Sequence, residues 1–158
     1  MVYGSSNERA VALRESPDSP FLATSTGNLL PFNTQDLSNA TGPVSDPSVL
    51  FLAGDVRANE QIGLTAMHTL FVREHNRVAE ILQANNRHHS AEEIFQSARR
   101  IVIAQIQMIT YQEFLPALLG PDTMPRYRGY NPRIRPDMFN EFTVAAFRLG
   151  HSLSLIHI

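Results

Sequence analysis

AGDVRANEQIGLTAMHTLFVREHNRVAEILQA, residues 53–84, decides the fold class. From Gln61 onward the apolar residues Leu64, Met67, Phe71, Val78 and Ile81/Leu82 recur at helical spacing, which predicts a helix over 61–84. Just before it stand Arg57 and Glu60, three residues apart, for which an exposed ion pair is the plain reading.

Working outward, SAEEIFQSARRIVIAQIQMITYQEFLPALLG, residues 90–120, predicts a second helix. Ser90 and Glu93 form a capping-box pattern at its start, and Pro116 and Gly120-Pro121 close it. Its middle, Ile101 to Ile109, is apolar on nearly every side, as in a helix deep inside a larger protein. An Arg/Pro/Tyr-rich connection, MPRYRGYNPRIRPD, leads to a third predicted helix, DMFNEFTVAAFRLGHS, with Asp137 as its N-cap. Upstream, residues 1–53 are rich in Ser, Asn, Asp, Gly and Pro and show little periodicity. Irregular stretches of that length are uncommon inside a compact domain, and they wrap something larger or carry function. The fold class expected is mainly α, with a long irregular N-terminal segment.

At 158 residues the chain has about one domain's length and can bury a real core. Thirteen basic residues, all arginine, face fifteen acidic ones, so the net charge of −2 gives no electrostatic case for nucleic acid or an anionic membrane. Arginine favours bidentate pairing with carboxylates, so fixed ion pairs or a propionate-like ligand suit this chain. Without cysteine there is neither a disulfide framework nor a thiolate metal site. No apolar run reaches the roughly 18 residues of a membrane span, and MVYGSSNERA lacks the apolar stretch of a signal peptide. Asn39-Ala40-Thr41 is a glycosylation sequon, meaningful only in a protein exported by a eukaryote.

Six histidines are the candidates for metal or proton chemistry. His68 and His75 lie seven apart on one face of the first helix, beside Glu74. A zinc hydrolase wants histidines four apart, but Phe71 stands four before His75, so both are read as packing or hydrogen-bonding residues. His88 and His89 sit in a polar turn, NNRHHSAEE, and are read as solvated. His151 ends an apolar helix after Phe147, Arg148 and Gly150. By itself it suits either the negative end of a helix dipole or a planar ligand approaching a backbone thinned by glycine.

Five blocks, LAGDVRANE, LTAMHTLFVREHNRVAEIL, ARRIVIAQIQMITYQEFLPALLG, YRGYNP and NEFTVAAFRLGHS, resemble the animal-type haem peroxidases of the peroxidase–cyclooxygenase superfamily in order and spacing. The resemblance covers residues 1–152 and implies a partial haem peroxidase domain: residues 1–60 irregular, 61–152 a helical core. It implies haem b as cofactor, hydrogen peroxide and small electron donors as reactants, a role in the response to oxidative stress, and a secreted setting. Arg57 matches the arginine above the haem on the peroxide side, the catalytic position. Glu60 matches the glutamate that several members esterify to the haem. Some members follow it with a methionine that forms a sulfonium bond; with Gln61 here, that bond and the chloride oxidation associated with it are not expected. Arg148 matches an arginine beside a haem propionate, and His151 matches the proximal iron ligand.

The resemblance also implies parts not found in this chain. The family's distal histidine lies upstream, and no histidine precedes His68. The calcium loop ends just before a segment reading M-V-Y-G, so Met1 is expected to be an internal methionine. The asparagine that orients the proximal histidine lies beyond residue 158. The last six letters, LSLIHI, translate one frame of CTG TCT CTT ATA CAC ATC, a transposase adapter of short-read library preparation, and residues 153–158 are expected to be read-through. The expected function is thus that of a haem peroxidase fragment. The alternative is a non-catalytic adhesion or matrix module on the same domain, and an unrelated helical bundle is weaker still.

Overall fold

The structure, a computed structural model, describes residues 1–40, 46–86, 88–135 and 137–150. The described residues are mainly helical and contain isolated β-bridges but no strands. The helices are α1 (Asn7–Ala12), α2 (Ile62–Asn85), α3 (Ala91–Ile109), α4 (Leu115–Leu119) and α5 (Asn140–Val144). Single 3-10 turns span Pro47–Val49 and Ala146–Arg148, and a π-helical turn, Thr110–Phe114, joins α3 to α4. His151, His157 and the rest of 151–158 lie outside the described residues, so the proximal-ligand and read-through expectations fall there too.

Helix α3 starts where its sequence says it should. The Ser90 hydroxyl accepts from the Glu93 N–H at 3.3 Å, and the Glu93 carboxylate accepts from the Ser90 N–H at 2.8 Å. Ser90→Ala is expected to lower stability by about 1 kcal/mol, read by denaturant unfolding, because two helix-end donors lose their partners. At the other end Pro116 has no N–H to close an α-turn and its ring crowds the preceding carbonyls. The backbone widens there, and the Leu115 N–H reaches back to the Thr110 carbonyl in π geometry.

The buried stripe of α2 differs from the expected one. His68, Val72, His75, Val78 and Ala79 are buried, whereas Leu64, Met67 and Ile81 are exposed. The two histidines, counted as polar, belong to the inward face, and α3 packs on that helix with Ile94, Phe95, Ala98 and Val102. Both are packing residues, as expected, while His88 and His89 are exposed.

The irregular segment supplies much of the core. Val2, Leu13, Leu22, Leu30, Leu52, Ala53 and Ala58 join Val72 and Phe95 in one apolar cluster. Residues 1–40 and 46–60 thus lie over the α2–α3 pair, held by α1 and by the bridges Arg14–Leu22, Ser25–Leu29 and Phe32–Phe51. Of the sequon, Asn39 has its side-chain nitrogen, where a glycan would attach, buried, and Thr41 lies outside the described residues.

The third predicted helix starts later than expected and is interrupted. It begins at Asn140, with Phe139 rather than Asp137 before it, breaks at Ala145 into the 3-10 turn Ala146–Arg148, and is α-helical again at Leu149 and Gly150, where the described residues end; Asp137 pairs with Arg135 instead. Among the described residues this segment packs on no other helix, and Phe139, Phe142, Val144 and Phe147 are exposed. Helical turns this short gain little against their nucleation cost without an apolar surface to cover them, which suits a break at Ala145. Ile101, Ile103, Met108 and Ile109 of α3 are similarly uncovered.

Candidate functional site

The loop from Phe51 to Gln61 is built to hold one arginine at its edge. Arg9, buried at 3% exposure, sends Nη1 to the Ala53 carbonyl at 2.8 Å and Nη2 to the Ser38 carbonyl, and no carboxylate among the described residues bonds it. Burial pulls its pKa down from the ordinary arginine value, and the field of Asp55 opposes that. Asn59 closes the loop like a strand partner, accepting from the Phe51 N–H at 3.0 Å and donating to the Phe51 carbonyl at 2.8 Å. Thr65, in the first turn of α2, donates to the Ala58 carbonyl at 2.6 Å. Gln61 caps α2, its side-chain oxygen accepting from the Leu64 N–H at 2.8 Å.

Gly54 is required by close approach. A Cβ there would lie 2.5 Å from the Val2 carbonyl oxygen and 2.6 Å from that of Met1. Both neighbours are backbone and cannot swing aside. Gly54→Ala is therefore expected to lower stability by about 2 kcal/mol and to displace the residues that follow, measurable by denaturant unfolding.

Arg57 does not pair with Glu60. Its Nε donates to Asp55 Oδ1 at 2.9 Å, its Nη2 donates to Asp55 Oδ2 at 2.8 Å, and its backbone N–H also donates to Oδ1, at 3.0 Å. These bonds hold the Asp55 carboxyl well below the usual carboxylate range and raise the pKa of Arg57. The Arg57 side chain is 62% exposed and Asp55 only 13%. Glu60 is exposed, and its carboxylate bonds no group among the described residues. An exposed guanidinium with one edge anchored, beside a carboxylate without a partner, can stabilise an anion and leave a second acidic group available to a ligand.

Arg148 is exposed too, with no side-chain partner among the described residues. Among the described residues its segment contacts no other helix, and no hydrogen bond or ion pair joins it to Arg57 or Glu60. Among the described residues no cluster of His, Asp or Glu could hold a metal ion, and no helix is long and apolar enough to cross a membrane.

A second polar arrangement lies in the core around His75, whose hydrogen-bonding role was expected but whose partners no spacing in the sequence announces. His75, fully buried, has Nε2 3.1 Å from the Pro20 carbonyl and Nδ1 3.0 Å from the Tyr3 hydroxyl. A carbonyl can only accept, so Nε2 carries the proton and Nδ1 accepts from Tyr3. Burial chiefly, with help from Arg14, lowers the His75 pKa to about 4, against the opposing pull of the Pro20 bond. Burial raises that of Tyr3. Phe95 packs 4.8 Å from the imidazole, and the Arg14 guanidinium lies 3.6 Å over the Phe95 ring.

The sequence profile of the animal haem peroxidase family matches residues 1–156. The human peroxidasin homolog is 43% identical over 169 residues, covering 96% of this chain and 11% of that protein. Mouse myeloperoxidase is 43% identical over 171 residues, covering 96% and 23%. Among solved structures, peroxidase A from Dictyostelium discoideum superposes with a TM-score of 0.85 at 35% identity, covering 95% of this chain and 30% of that one. The chain therefore spans a minor part of the length of the relatives it matches.

Proposed function

The chain belongs to the animal haem peroxidase family, and from that premise we propose that it carries the peroxide-side arginine and the proximal ligand of an enzyme that reduces hydrogen peroxide and oxidises small electron donors. The observation that carries the reading is the family match over residues 1–156 together with a loop built to present Arg57.

Haem, when bound, supplies the redox-active iron. The donor set of this chain suits that group. His151 offers an imidazole to the iron. Arg148 offers a guanidinium matched to a propionate. Glu60, exposed and without a partner, offers a carboxylate that can tether the macrocycle as an ester. Arg57 meets the negative charge that gathers on the departing oxygen when the O–O bond of peroxide breaks, and its anchored edge removes the need to reorient at that moment. The proton that peroxide gives up must go to a base, and His68 and His75 cannot take it because both are buried in the core. Little turnover is therefore expected from these 158 residues alone. The distal base, the calcium loop and an exported setting belong to the longer protein of this reading.

The test is haemin titration of the longer protein that contains these residues, followed in the Soret band, with His151→Ala beside it. A shifted Soret band in the parent protein that His151→Ala loses, together with peroxide-dependent oxidation of a phenolic donor, supports the reading. No shift, or the same shift in both proteins, overturns it. Donor oxidation by the 158-residue chain well above free haemin would refute the expected inactivity.

A further inference from the structure

We propose that Asp55 is the positioning residue of Arg57: its carboxylate grips the Nε–Nη2 edge of the guanidinium and thereby aims the Nη1 edge at the anion the arginine serves. The inference rests on the reading of Arg57 given above and deepens it.

Three observations carry it. First, both Asp55 oxygens are used, and one residue supplies all three donors, its Nε, its Nη2 and its own backbone N–H. A single oxygen would let the planar group swivel, whereas a two-point grip fixes its plane. Second, the exposures are unequal. Asp55 is set into the loop while the arginine stands out, so the carboxylate is the anchor and the guanidinium the presented group. Third, the loop beneath is immobilised independently of the pair, by Arg9 on Ala53, Asn59 on Phe51 and the close approach at Gly54. Nη1 donates to no group among the described residues, and that edge is what remains for an oxyanion.

The carboxylate also tempers the arginine's charge, so the arrangement trades field strength for direction. Asp55→Asn preserves the shape but turns one acceptor into an NH2 that faces a donor, so the grip opens. Asp55→Glu keeps the charge and both acceptors at one methylene's displacement.

The experiment uses the haem-loaded longer protein, made with 15N-arginine. In the parent protein the Arg57 Nε–H, assigned by its loss in Arg57→Leu, is expected to be sharp and slow to exchange with solvent. In Asp55→Asn that protection falls at least tenfold and the reaction with peroxide slows about tenfold, with Soret band and circular dichroism unchanged. Asp55→Glu recovers part of both. An unprotected Nε–H in the parent protein, or an Asp55→Asn protein that matches it in protection and rate, overturns the proposal. Should the protein bind no haem, the peroxidase reading fails, and exchange at Nε–H still decides the clamp.

Discussion

Arg57→Leu is expected to slow the reaction with hydrogen peroxide roughly 100- to 1,000-fold, the usual consequence of removing one preorganised donor from a developing oxyanion. Leucine keeps apolar bulk but no donor. Because the Asp55 carboxylate would still accept the backbone N–H of residue 57, the loop is expected to survive and haem to bind as before. Arg57→Lys provides the contrast. An ammonium keeps the positive charge but cannot span both Asp55 oxygens in the planar geometry seen here, so a rate between those of the parent and the leucine variant is expected. Stopped-flow mixing with peroxide at fixed ionic strength measures both. A leucine variant as fast as the parent protein would remove Arg57 from the reaction.

The second large effect is on stability in acid. His75 has a pKa of about 4 in the fold against 6.5 as a free side chain. Between those values the unfolded chain binds a proton that the folded chain refuses, so stability increases with pH across that interval. The contribution is fully present above pH 6.5 and is lost as pH falls through 4, amounting to about 3 kcal/mol. Burial of His68 adds to the loss in the same direction. Denaturant unfolding at a series of pH values gives the slope. In His75→Phe the protein is expected to be less stable at neutral pH, because the Tyr3 hydroxyl and the Pro20 carbonyl lose their partner. Its stability should nevertheless vary less between pH 6.5 and 4, and an unchanged slope would show that other groups dominate the acid response.

Local features were legible in the sequence, and non-local ones were not. The Ser90–Glu93 box and the extent of α2 follow from spacings within a few residues, and both are present in the fold. The inward face of α2 was misplaced because a hydrophobic count scores histidine as polar, while the fold buries His75 by supplying partners 55 and 72 residues away. No periodicity announces such partners. The N-terminal segment read as irregular for a sound local reason, yet its Leu13, Leu22 and Leu30 find their apolar neighbours only in three dimensions. The last helix is interrupted at Ala145 for the opposite reason: its pattern is amphipathic, but no other helix among the described residues covers it. At the candidate site, the plain reading paired Arg57 with Glu60, and the fold pairs it otherwise. The carboxylate that grips Arg57 lies two residues before it, in Gly-Asp-Val-Arg.

The bond from Tyr3 to His75 also sets a timetable. Its ends are 72 residues apart, and the Arg14–Glu92 pair spans 78. Ribosomes add about 5–20 residues per second, so Tyr3 waits roughly 4–14 s before His75 is even polymerised. During that interval Val2, Leu13 and Leu22 have no helix to lie against. Slowing translation within the α2 codons is expected to lengthen that exposure and raise the misfolded fraction.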